Sequence, residues 1–146
     1  MAIFKFLDGL ETSPLHEFWD FHDHDVPSVP GVYVLASKGG THFPYPGGNS
    51  PIFYIGQSTS LLLRLRNHLM YARQAKENRR IPLYWPRYEY AAKFGARYCY
   101  IRTWQGLKPK ALEDIVLARF AKRYLSFPIA NGSGAWSRIA KEISLV

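Results

Sequence analysis

One cysteine in 146 residues, Cys99, leaves no partner for an internal disulfide and no set of thiolates for a cysteine-built zinc cage. No apolar run approaches the ~18 residues of a membrane span. The opening MAIFKFLDGLET carries one lysine, a short apolar patch and then acids, which is not the pattern of a secretory leader. The expectation is a soluble, cytoplasmic protein with no membrane partner. Internal repeats and low-complexity tracts are absent, and 11 glycines are too few for a collagen-like chain. Hydrophobic residues, by contrast, make up 47% and aromatics 16%, which excludes disorder as a description of the whole chain. A chain of this length and composition is read as one domain with a core of its own.

Acidic residues are scarce in one region only. Residues 31–146 hold Glu77, Glu89, Glu113, Asp114 and Glu142 against 18 lysines and arginines, a net of +13. Residues 1–30 hold six acids against Lys5, a net of −5. This asymmetry predicts an acidic N-terminal extension, 1–29, ahead of a basic domain, 30–146. A body so basic usually meets a polyanion, nucleic acid before an anionic membrane surface. A merely solubilising surface is the plain alternative.

Pro14, after Ser13 as a cap, suits a short helix running to about Asp20. GVYVLAS (31–37) and IFYIG (52–56) are rich in β-branched and aromatic residues and read as paired antiparallel strands. The Gly- and Pro-rich stretch 37–51 joins them as a long connection. From Thr59 or Ser60 to about Lys76 the period is helical, with Leu61, Leu65, Leu69 and Ala72 in one stripe and Arg64 and His68 at its edge. Residues 77–95 read as a polar, aromatic connection and 96–104 as a third strand. A helix opens at Pro109 and runs to about 125, and a short one is expected at about 135–143 after NGSG. The predicted fold is α+β, a small three-stranded antiparallel sheet flanked by helices in the order β-β-α-β-α-α.

Within the second long helix, Glu113 falls on the same stripe as Leu117, Phe120 and Tyr124. A lone carboxylate there costs several kcal/mol, of order, unless neutralised, paired or bound to metal. A first-turn acid favoured by the helix dipole and a core ion pair are the alternatives.

Gly31-Val32-Tyr33 and Tyr54-Ile55-Gly56, followed by a helix carrying Arg64 and His68, resemble the GIY-YIG nuclease domain. The first motif is present as GVY and the second intact as YIG. Arg64 stands ten residues beyond Tyr54, His68 one turn later, and Glu113 opens the matching E-x-x-h-h stretch, Glu113–Leu117. Pro128-Ile129-Ala130-Asn131 resembles the family's closing asparagine. The resemblance spans about residues 30–131 and leaves 1–29 unaccounted for.

That resemblance implies a metal-dependent endonuclease hydrolysing phosphodiester bonds, DNA more readily than RNA. It implies Tyr33 as general base or water-positioner, Tyr54 on the phosphate or nucleophile, Arg64 on the developing charge, and His68 holding Tyr33 or relaying a proton. Glu113 is the implied ligand of one Mg²⁺ or Mn²⁺, and Asn131 fixes the backbone of the site. With so few acids, one metal on one carboxylate suits the chain better than a two-metal site. Lys38, Arg66, Arg73, Arg79 and Arg80 are candidates for phosphate contacts. The alternative is a catalytically silent module of the same fold that binds nucleic acid or a partner. Sequence specificity is left to loops, a homodimer or a separate targeting chain.

Overall fold

The computed structural model describes residues 2–77 and 86–131. Six consecutive buried residues form the strand Gly31–Ala36 (β2), the pattern of a strand with neighbours on both edges and cover on both faces. Its neighbours are Ile52–Ser58 (β5) and Arg97–Arg102 (β6), both antiparallel to it. The register sets Tyr33 opposite Gly56 on one side and Tyr100 on the other. Residues directly opposite share a face, so the Tyr33 ring lies against Gly56. A Cβ at Gly56 would meet the Tyr33 phenol and lie 2.9 Å from the Tyr54 ring. Gly31 is constrained in the same way, by the Ile101 carbonyl and the Leu61 side chain.

The sheet has four strands, not the expected three, in the order β1-β6-β2-β5. The added strand is His16–Glu17 (β1), paired with Tyr98 and Arg97. It replaces the helix expected after Ser13. The Ser13 hydroxyl accepts from the backbone N–H of Tyr100, and the Ser13 N–H donates to the Tyr100 carbonyl. Bonding to β6 thus takes both polar groups that a helix start would have used, and the segment runs extended along the sheet. Leu7, Phe18 and Val26 enter the main hydrophobic core, so residues 2–29 pack as part of the same body. The 37–51 connection contains a second, two-stranded sheet, Phe43–Tyr45 (β3) with Gly48–Ser50 (β4).

Helix Leu61–Lys76 (α1) starts at Ser60, whose hydroxyl accepts from the Leu63 N–H, and buries Leu61, Leu65, His68, Leu69, Ala72 and Ala75. Helix Pro109–Tyr124 (α3) opens on proline, where the missing N–H costs nothing, and ends with Leu125 in the left-handed region at φ 58°. It packs on β5 and β2. A further helix, Pro86–Phe94 (α2), lies within the stretch expected to be an irregular connection and packs against α1. The expected helix at 135–143 lies outside the described residues, as do Arg79 and Arg80. No helix among the described residues is long and apolar enough to cross a membrane.

Candidate active site

Tyr33, at the centre of β2, points its phenol across Gly56 toward α1. There it hydrogen-bonds Nε2 of His68, and both side chains are buried. The other ring nitrogen, Nδ1, lies 3.0 Å from the Tyr88 hydroxyl on α2. Tyr54, on β5, stands beside Tyr33 with ring centroids 6.1 Å apart and beside His68 at 6.0 Å. Its hydroxyl accepts a hydrogen bond from Arg87 Nη1 at 3.1 Å, and that guanidinium stacks over the Tyr54 ring. Arg64, half-buried one turn before His68, lies close enough to the Tyr33 phenol for its charge to act on it.

The electrostatics follow from burial. Desolvation pushes the Tyr33 phenol well above its ordinary value near 10, the neighbouring Tyr54 phenol adds to this, and the Arg64 and Arg87 cations only partly oppose it. Tyr33 is therefore a protonated phenol at neutral pH, whereas a free general base requires a shift in the other direction. Tyr54 is raised too, by burial first, with Arg87 and Arg64 lowering it and Glu113 raising it. Burial drives His68 down to about 2, assisted by the cations of Arg64 and Arg87, so the imidazole is neutral. For Arg64, burial works to lower the value, but the neighbouring phenols, Tyr33 foremost, raise it overall and the guanidinium stays charged.

Glu113 sits near the start of α3, close enough to Tyr54 for its charge to act on that phenol. It is half-buried and not a fully enclosed carboxylate; the buried stripe of α3 is Leu112, Val116, Leu117, Phe120, Ala121 and Tyr124. Its intermediate burial at the stripe's margin costs less than full enclosure of a carboxylate would. A hard-oxygen donor set of this kind, one carboxylate beside phenols, fits Mg²⁺ or Mn²⁺, with water and phosphate oxygens completing the shell. Among the described residues no group of three His, Cys, Asp or Glu side chains converges on a metal position.

Asn131 bonds the chain twice at one residue. Its Oδ1 accepts from the Ile55 N–H at 3.0 Å and its Nδ2 donates to the Ile55 carbonyl at 2.8 Å. With Ala130 N–H donating to the Phe53 carbonyl at 2.8 Å, residues 130–131 occupy the open edge of β5 as a further strand would.

Five of the six residues expected to act together, Tyr33, Tyr54, Arg64, His68 and Glu113, thus share one electrostatic neighbourhood, and the sixth, Asn131, braces the strand that carries Tyr54. The expected phosphate contacts are dispersed. Arg66 and Arg73 line one shallow groove on α1 with Leu69, Met70, Gln74 and Glu77, and Arg66 pairs with Asp23 at 2.6 Å. Lys38, beyond the end of β2, pairs with Glu17 at 3.1 Å.

Arg87 and Tyr88 were not among the expected site residues. The signal was present: Pro86 favours the first position of a helix, and Arg87-Tyr88 follows it directly. No family model, curated protein or solved structure matches this chain.

Proposed function

We propose that this chain is a metal-dependent endonuclease of the GIY-YIG kind, hydrolysing phosphodiester bonds in DNA. The observation that carries the reading is the hydrogen-bonded pair Tyr33–His68 with Arg64 and Tyr54 beside it, the Glu113 carboxylate acting electrostatically on Tyr54. A packing role alone accounts poorly for two guanidinia, two phenols and an imidazole drawn together beneath one acid, because each polar group there carries a desolvation cost.

In this reading Tyr33 keeps its proton, donating it in a hydrogen bond to the unprotonated Nε2 of His68, and orients the attacking water through its oxygen. Neutral His68 holds the phenol in place. The guanidinia of Arg64 and Arg87 face the charge that builds on the pentavalent phosphorus oxygens, and their planar donors match that geometry. Tyr54 hydrogen-bonds a phosphate oxygen. Glu113 holds one divalent ion, which when bound supplies Lewis-acid polarisation of the phosphate and stabilises the leaving oxygen. Asn131, through Ile55, keeps Tyr54 and Gly56 in position.

The test is plasmid nicking with Mg²⁺ or Mn²⁺ by the wild type, Glu113→Ala and Arg64→Ala, with a single-stranded RNA arm. Metal-dependent nicking that falls at least ~100-fold in both variants is expected. Equal nicking by all three overturns the assignment. Binding without any metal-dependent cut establishes the silent module instead.

A further inference from the structure

Along α3 from Glu113, by about 9 to 15 Å at the helical rise, lies a second feature that the proposed reaction does not use. Lys5, Phe6, Arg119, Lys122 and Arg123 line an open cleft of about 520 Å³. Four of these five residues are cations and none is an acid. Among the described residues no carboxylate forms an ion pair with Lys5, Arg119, Lys122 or Arg123, although Lys38 and Arg66 both have one. Four like charges around one concavity repel each other, and an anion seated among them relieves that repulsion.

Two of the cations are held in place. Arg119 Nη1 donates to the Asp8 carbonyl at 2.8 Å, and Arg123 Nη1 donates to the Gly47 carbonyl at 2.8 Å. Arg123 also stacks over the Tyr124 ring at 4.6 Å. Each guanidinium is thereby oriented by a single nitrogen, with other N–H donors left over, so less rotamer entropy is lost when it grips an oxyanion. The fifth lining residue is aromatic. Phe6 is half-buried, its ring meeting Phe120 edge-on at 5.4 Å and Tyr124 at 6.4 Å. A ring fixed from beneath with its remaining surface in a cationic cleft is the arrangement on which an unpaired base stacks. The volume is within the range of small-ligand sites and admits one nucleotide unit.

We propose that this cleft binds one unpaired nucleotide of a nucleic-acid strand, its phosphate on Arg119 and Arg123 and its base on Phe6. The site is separate from the Tyr33–Glu113 neighbourhood, and binding here needs no metal and no cutting. A base paired within a duplex presents no face to Phe6, so the cleft discriminates single-stranded or frayed ends from continuous duplex.

The test is fluorescence anisotropy in EDTA with a labelled single strand of about 12 nucleotides and a duplex of the same length. The proteins are wild type, Phe6→Leu, Lys5→Ala/Lys122→Ala and Glu113→Ala. Leucine retains an apolar contact with Phe120 and Tyr124, and a melting curve checks that Phe6→Leu folds. Single-strand affinity is expected to fall about tenfold in Phe6→Leu while duplex affinity changes by less than about twofold. The double lysine variant lowers the slope of log affinity against log salt by about one. Glu113→Ala loses cleavage yet keeps the Phe6-dependent preference for single strand over duplex, so failure of the proposed reaction leaves this site standing. Equal loss for duplex and single strand in Phe6→Leu, unchanged single-strand binding in both cleft variants, or full displacement of the strand by millimolar inorganic phosphate overturns the proposal.

Discussion

Nδ1 of His68 and the hydroxyl of Tyr88 stand 3.0 Å apart, joining α1 to α2 through a buried imidazole whose other nitrogen meets Tyr33. Tyr33 is a protonated phenol and the Arg64 cation faces it, so the phenol donates its proton to Nε2 of the neutral imidazole. His68 is then the Nδ1–H tautomer, donating to Tyr88. Tyr88→Phe leaves that N–H buried and without its acceptor, a loss of about 1–3 kcal/mol in unfolding free energy. Urea unfolding measures the loss, and ¹⁵N chemical shifts of the imidazole read the tautomer; a protonated Nε2 in the wild type refutes the assignment.

His68 also makes stability depend on pH. Its folded value, about 2, lies below the ordinary 6.5 of the unfolded chain. As pH falls below 6.5 the unfolded state takes up a proton that the folded state refuses. The stabilisation is therefore complete above about pH 6.5 and is lost progressively on acidification toward pH 2. Between pH 7 and pH 5 the expected loss is about 2 kcal/mol from this one group. Melting curves at the two values, for wild type and His68→Phe, isolate it: the variant should lose distinctly less, and an identical loss counts against the buried neutral imidazole.

Asn131→Ala removes both bonds to Ile55 at the sheet edge. A destabilisation of about 1–3 kcal/mol is expected, with amide exchange at Ile55 accelerated more than at Val34 on the central strand. Uniform acceleration across the sheet would mean that Asn131 supports the fold globally and does not brace β5 locally.

Asp23 lies against Arg66, both largely exposed. Asp23→Asn frees the guanidinium without disturbing the core, and binding of duplex DNA at low salt is expected to tighten about twofold to threefold, the gain vanishing near 1 M salt. Unchanged affinity at low salt would show that Arg66 takes no part in holding DNA. Deletion of residues 1–29 is the poorer test, since it also removes Leu7, Phe18 and Val26 from the core.

Local pattern made much of this molecule legible. β-Branched and aromatic content marked β2 and β5, Ser60 and Pro109 marked the starts of α1 and α3, and the helical period put Leu61, Leu65 and Leu69 on one face. These are short-range effects of backbone sterics and side-chain periodicity, and they act before any distant contact forms. Residues 14–20 run extended where local pattern predicts a helix, because the bonds that decide them are made to Tyr100, more than 80 residues away. The placing of Arg87 and Tyr88 at the site has a similar origin: a local helix start is legible at Pro86, but nothing within that segment names Tyr54 and His68 as partners.

The order of the chemical groups along the chain, and the kinds of element that carry them, are properties of the sequence by itself. The direction of the pKa shifts at Tyr33 and His68 is not, because desolvation depends on what the folded chain packs around each group. Tertiary structure alone made Tyr33 a retained phenol, left Glu113 at the margin of its helix stripe, and gathered Lys5, Phe6 and the end of α3 around one cleft.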